Sequence, residues 1–145
     1  MQIRVFAIAL ATAFLWVLTT FLTPPAMALT QIRLYDISYH ECSPEVGEGT
    51  VTSGGGTARA ANCFIVTGKA ENKSGKPVVN ADVFGRIYDA NNDSVMQNRN
   101  RLGSIDEIPP GISDFEMRIS VPASQPTPLH LEQFKAAGFT GLVRR

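Results

Sequence analysis

The chain has 145 residues, with 13 basic and 13 acidic side chains. That balance excludes the basic excess of a nucleic-acid binder and the polybasic stretch of an electrostatic membrane anchor. The length suits one ordinary domain, and two cysteines with two histidines are too few ligands for a metal centre.

Met1–Arg4 carries one positive charge, and residues 5–22 form an apolar run. Pro24 and Pro25 then break any helix, and Ala26-Met27-Ala28 supplies an A-x-A end. This layout predicts a secretory signal over residues 1–28, cleaved between Ala28 and Leu29. The apolar run approaches the length of a membrane span, so an uncleaved anchor is the alternative. Without Arg4, 12 basic and 13 acidic side chains remain, a net charge of −1. The expected product is a neutral exported domain over residues 29–145.

Gln31–His40 alternates, with Ile32, Leu34 and Asp36 set against Arg33, Tyr35, Ile37 and Tyr39. That pattern predicts a strand. Residues 43–62 hold Gly47, Gly49 and the triplet Gly54-Gly55-Gly56. Glycine this dense costs backbone entropy, so a flexible Gly-rich loop or a loose hairpin is expected. Cys42 and Cys63 bracket it, and two cysteines in an exported chain predict a disulfide. Closing a loop of about 22 residues is worth roughly 3 kcal/mol. A pair of free thiols is the alternative.

Cys63–Glu71 reads as a strand with Phe64, Val66 and Gly68 on one face. Asn72–Pro77 is turn chemistry. Val78–Asp89 resumes the strand pattern, with Val79, Ala81, Val83 and Ile87 expected on one face. Asn91-Asn92-Asp93 forms another turn, because Asn and Asp tolerate positive φ. Val95–Ile105 reads as a polar strand near an edge, its charges discouraging pairing with other chains. Ile108-Pro109-Pro110-Gly111 forces a turn. In Ser113–Val121, Phe115, Met117, Ile119 and Val121 face inward while Asp114, Glu116, Arg118 and Ser120 face out. The tail from Leu129 suits a last strand better than a helix.

About seven short strands separated by turns, with no convincing amphipathic helix, predict an all-β fold. The expected form is an immunoglobulin-like antiparallel β-sandwich. The only Trp, Trp16, lies in the signal, and the two cysteines are too close in sequence to be the usual inter-sheet pair.

The segment Phe64–Val121 resembles the FxLYD-type domains of exported bacterial proteins. The resemblance rests on Val66–Gly75, Val79–Val83, Ile87-Tyr88-Asp89-Ala90-Asn91, Ile108–Gly111 and the Phe115–Val121 strand. Tyr88 and Asp89 match the naming motif, while Ile87 stands for Leu and Phe84 lies one place early, with Gly85 at the Phe position. The resemblance implies a small sandwich without catalysis, used as an envelope or surface module, and it carries over no active-site residue. The whole chain, with its Pro-Pro-Ala-Met-Ala exit, is also similar to small cyanobacterial proteins exported to the periplasm or thylakoid lumen.

The candidate sites divide between chemistry and plain structure. His40, Glu41 and Cys42 could serve a thiol or a metal, but Cys42 has an obvious partner in Cys63. Asp89-x-Asn91-x-Asp93 imitates the start of a calcium loop, yet Ser94 replaces its glycine and Asn100 its last acid. Neither a G-x-S-x-G elbow nor a P-loop is present. The expected function is therefore non-catalytic, without cofactor or metal: an exported module that binds another extracytoplasmic or membrane protein. Loops on a rigid scaffold are the usual contact surfaces. The expected contacts are Gly54, Gly55 and Gly56, then Asn72 and Lys73, then Asn91, Asn92 and Asp93, with Arg99 and Arg101 as grips for an acidic partner. A periplasmic small-ligand carrier, or a thiol/redox protein using Cys42 with His40, are the alternatives. N-terminal sequencing of the exported product is expected to begin at Leu29; a product starting at Met1 would make this an anchored protein.

Overall fold

Alternation of apolar and polar residues yields seven strands: β1 (Leu29–Glu41), β2 (Val51–Gly54), β3 (Thr57–Asn72), β4 (Val78–Tyr88), β5 (Arg101–Ile108), β6 (Gly111–Pro122) and β7 (His130–Phe139). One turn of helix, α1 (Pro44–Gly47), separates β1 from β2. The computed structural model describes residues 29–54, 57–96 and 100–141; residues 1–28, and with them the signal and Ala28, lie outside the described residues.

All the strands belong to one antiparallel sheet. β3 pairs β6 along one side, from Ala61↔Pro122 to Asn72↔Gly111, with no shift of register. Its other side takes β1 and then β2. The first residues of β1 pair β7, from Leu29↔Phe139 to Arg33↔Lys135. β7 pairs β4, and β4 pairs β5. Side chains from both halves of the sheet meet in one core, Phe64, Val66 and Ile119 against Val83, Ile87 and Ile105. The result is a sandwich-like fold in which β1–β3–β6 faces β7–β4–β5.

Of the four register shifts among the described strands, three share one construction and set which side chains reach the core. In each, one strand spends an extra residue, and that residue has positive φ: Asp36 at 52°, Asn80 at 49° and Gln133 at 56°. An extra residue reverses the faces of everything after it. On β1 the inward set is Ile32 and Leu34 before the bulge but Ile37 and Tyr39 after it. On β4, Val78 and Ala81 are both buried, so Val78 takes the core position expected of the half-buried Val79. Opposite each bulge lies a glycine, Gly68, Gly138 and Gly85 in turn. A Cβ at Gly138 would sit 2.8 Å from Ala81 Cα and 2.9 Å from the Val79 carbonyl oxygen, so the strands approach too closely for any side chain.

Other expectations are revised. The polar strand is β5, Arg101–Ile108, and not Val95–Ile105. Val95 instead buries its side chain in the core and donates its N–H to the Ile87 carbonyl at 2.9 Å. The segment 43–62, expected as a loop or loose hairpin, holds α1 and a hairpin of β2 with the start of β3. The tail forms β7.

Asn72 joins the two turns at one end of the sandwich. Its Nδ2 donates to the carbonyls of Lys76 at 2.8 Å, Ile108 at 3.0 Å and Pro109 at 3.3 Å. Its Oδ1 accepts from the Ser74 N–H at 3.0 Å and the Ser74 hydroxyl at 2.7 Å. These bonds compensate a side chain that is otherwise buried.

Gly138→Ala is expected to destabilise the protein by about 1–3 kcal/mol, because backbone atoms of Val79 and Ala81, as well as the Val78 side chain, meet the new methyl. Urea denaturation measures this, and an unchanged midpoint would show that β4 and β7 can separate there at no cost.

Candidate functional site

The strongest candidate is the end of the molecule that carries the disulfide. β1 runs along β3 as far as Cys42, whose N–H donates to the Cys63 carbonyl at 3.0 Å. The chain then loops out through α1 and returns to the same edge of β3, where Ala61 N–H donates to the Thr50 carbonyl at 3.3 Å. β2 thus prolongs the line of β1, with residues 43–49 looped out between them. The Cys42–Cys63 disulfide, with Cα atoms 5.4 Å apart, closes the base of this excursion. Gly47 lies directly over it, 3.7 Å from Cys63 Cβ and 3.8 Å from Cys42 Cβ when a Cβ is placed on the glycine.

Thr50 is the second tie. It is buried, and its hydroxyl donates to the Gly47 carbonyl while accepting from Arg118 Nη2 at 3.1 Å. Arg118 reaches it from β6, across β3. Beyond this base β2 and β3 form a two-stranded ribbon, paired from Val51↔Ala60 to Gly54↔Thr57. β6 stops short of it: Pro122 pairs Ala61, and the last bond on that side runs from Ala123 N–H to the Ala60 carbonyl at 3.0 Å. Val51 is 57% exposed, and Ala58, Arg59 and Ala60 are exposed on the opposite strand. A ribbon of two strands is marginal by itself. Here covalent and polar ties at the base hold it out.

The expected contact residues separate into three places. Gly54 ends β2 on this ribbon, while Gly55, Gly56 and Arg99 lie outside the described residues. Asn91, Asn92 and Asp93 are exposed at the same end, since Ala90 N–H donates to the Pro126 carbonyl at 3.1 Å in the segment that follows β6. Their turn is built by Asp89. This residue is buried, and its Oδ1 accepts from the N–H groups of Asn91 at 2.8 Å and Asp93 at 2.9 Å. The Asp89 carboxylate therefore faces its own turn. Asn72 and Lys73 lie at the far end of β3. Asn72 is corrected from a contact to an internal strut, because its buried amide is occupied by three carbonyls. Lys73 Nζ stands 3.4 Å from Glu71. Arg101 is already engaged with Asp82, through Nε at 2.8 Å and Nη2 at 2.6 Å, both to Oδ1.

Residues of the alternative readings are also placed. His40 is exposed on β1 opposite Ile65, and the Cys42 sulfur it was expected to activate is bonded to Cys63. The space between the layers is filled by core side chains. The clefts among the described residues open on the outer surface. One of about 450 Å3 is lined by Asp36, Thr67, Lys69, Asp114 and Glu116. Within it Asp114 hydrogen-bonds Lys69 and adds its charge, holding the ammonium above the ordinary lysine value.

Val51, Thr50 and Arg118 were not singled out from the sequence. A signal for the ribbon was present: β-compatible Thr50–Ser53 and Thr57–Ala60 flank the glycine triplet Gly54-Gly55-Gly56, a setting that suits a tight hairpin. No protein-family model, curated protein or solved structure matches the chain. The disulfide itself fits a non-reducing, extracytoplasmic environment.

Replacing both cysteines by serine is expected to lower the unfolding free energy by about 3 kcal/mol, given the 21-residue separation they close. It is also expected to loosen the paired ribbon so that trypsin cleaves after Arg59 in the otherwise folded protein. Limited proteolysis with urea denaturation reads both, and a variant as protease-resistant as the parent would mean that the ribbon is held without the disulfide.

Proposed function

We propose that this protein is a non-catalytic exported module that binds another extracytoplasmic or membrane protein through the disulfide-pinned ribbon and the Asn91–Asp93 turn beside it. The observation that carries this reading is the contrast between base and arm. The base is fixed by Cys42–Cys63 and by the Thr50–Arg118 bond, whereas the arm presents Val51, Ala58, Arg59 and Ala60 to solvent. A chain that fixes an arm so firmly, and buries so little with it, has the arm available for a partner. The arm is a two-stranded ribbon beyond the end of β6, not the lining of a cavity, which suits a protein surface better than a small ligand, since ligand sites are concave. Apart from Arg59 its side chains carry no charge, which favours strand-like contacts over electrostatic ones. The FxLYD resemblance supports an envelope or surface role, and the signal layout supports the periplasm or thylakoid lumen as its place of action.

A photo-crosslinking residue placed at Val51 or Asn92 in native cells is expected to give a discrete heavier adduct, while one at the exposed Lys76, at the opposite end, gives none. No adduct at Val51, or the same adduct at all three positions, would overturn the reading.

A further inference from the structure

The sheet has one long edge that is fully regular, and its chemistry is self-complementary. Backbone bonds around β3 show which groups are free. Ala123 N–H bonds the Ala60 carbonyl, so the even-numbered residues of β3 bond toward β6. Ala61 N–H and the Cys63 carbonyl bond toward β2 and β1, so the odd-numbered ones bond the other way. Adjacent pairs in an antiparallel ladder alternate in this manner. On β6, Phe115, Met117, Ile119 and Val121 therefore exchange bonds with β3. Ile112, Asp114, Glu116, Arg118 and Ser120 turn their N–H and C=O groups away from it. β5 does not take them up: it pairs only β4.

Other edges are interrupted. β1 bulges at Asp36, β7 bulges at Gln133, β5 shifts register opposite Val83 and Phe84, and β2 has four residues. β6 runs twelve residues with no shift, and its only proline is the last residue. A long regular edge is a template for another strand unless its side chains forbid it.

The side chains on this edge allow one register with a second copy. Antiparallel pairing must bring outward-bonding residues opposite one another, so the two-fold can pass through residue 115, 116, 117 or 118. Centring on Phe115 sets Asp114 against Glu116 of the second copy. Centring on Glu116 opposes two Glu116 side chains, and centring on Arg118 opposes two arginines. Centring on Met117 places Glu116 opposite Arg118 of the second copy, twice by symmetry, and Asp114 opposite Ser120. The charges concerned are available. Asp114 is paired with Lys69, and Glu116 has no ion partner among the described residues. Arg118, whose guanidinium reaches across β3 to the Thr50 hydroxyl, pairs by swinging back over β6 to the edge.

We propose that two copies of this protein join edge to edge through β6, antiparallel about Met117, with Glu116 and Arg118 paired across the two-fold. The sheet then continues from one copy into the other. The test is sedimentation equilibrium on the purified exported protein over a range reaching millimolar concentration. A concentration-dependent dimer is expected, and Glu116→Arg is expected to weaken it about tenfold or more, because both symmetric pairs become repulsive. The charge swap E116R/R118E is expected to restore it. Circular dichroism confirms that each variant is folded. A monomer at every concentration, a dimer indifferent to Glu116→Arg, or a double variant no tighter than the single would each overturn the proposal. Ribbon adducts at Val51 are read separately, so failure here leaves the ribbon's role to its own test.

Discussion

A strand shows its faces with period two, and a single extra residue turns over everything that follows. The core depends on three such residues. At Asp36, Asn80 and Gln133 the chain enters the left-handed region, where side chains other than glycine are uncommon. Each extra residue crowds the partner strand, and the partner answers with a glycine at Gly68, Gly138 or Gly85. The two halves of each device need one another: a bulge without the glycine collides, and a glycine without the bulge leaves a gap. The Asp36 bulge also lets one strand serve both layers. Before it, β1 pairs β7; after it, Tyr39 faces inward. There it meets Phe64 edge-on at 5.5 Å and accepts the Leu129 N–H at 2.7 Å, which fixes the entry to β7.

This explains what could be read from the sequence. β6 is legible from Ser113 to Val121 because it has no bulge, so Phe115, Met117, Ile119 and Val121 keep strict alternation. β3 was legible from Cys63 onward for the same reason. Reading failed where parity changes. None of the extra residues is a glycine, so nothing marked Asn80, and the face containing Val79 was assigned one residue out. Val95 was placed in a strand because it is apolar and β-branched. Its neighbours do not alternate with it, and it serves as a single core plug before β5 begins. Asn72 shows a different limit. Its composition signals a turn correctly, but whether an amide faces water or three carbonyls depends on the Ile108–Gly111 turn, far away in sequence.

At the candidate site the fold substitutes one kind of stability for another. Elsewhere the strands are held by burial, at roughly 25 cal/mol per Å2 of apolar surface. The ribbon uses little of that term, because β6 ends at its base and Val51, Ala58, Arg59 and Ala60 stay exposed. Its base is secured instead by a bond that restricts the unfolded chain and by a buried threonine satisfied on both sides. A site built this way keeps its shape without hiding its surface, which is what a contact element requires.

Arg118 links the two surfaces inferred for this protein. It lies on the β6 edge, and it also supplies the donor that secures Thr50 beneath the ribbon. A guanidinium carries five N–H donors in a fixed fork, and the Thr50 hydroxyl takes only one of them. Thr50 lies across β3, on the side away from the edge, so an arginine that meets a carboxylate from across the two-fold must leave Thr50. Pairing at the edge would then draw on the arginine that braces the ribbon, so the two surfaces compete for it. The fold sets up this competition: β3 stands between them, bonded on one side to the strand that forms the edge and on the other to the strand that begins the arm.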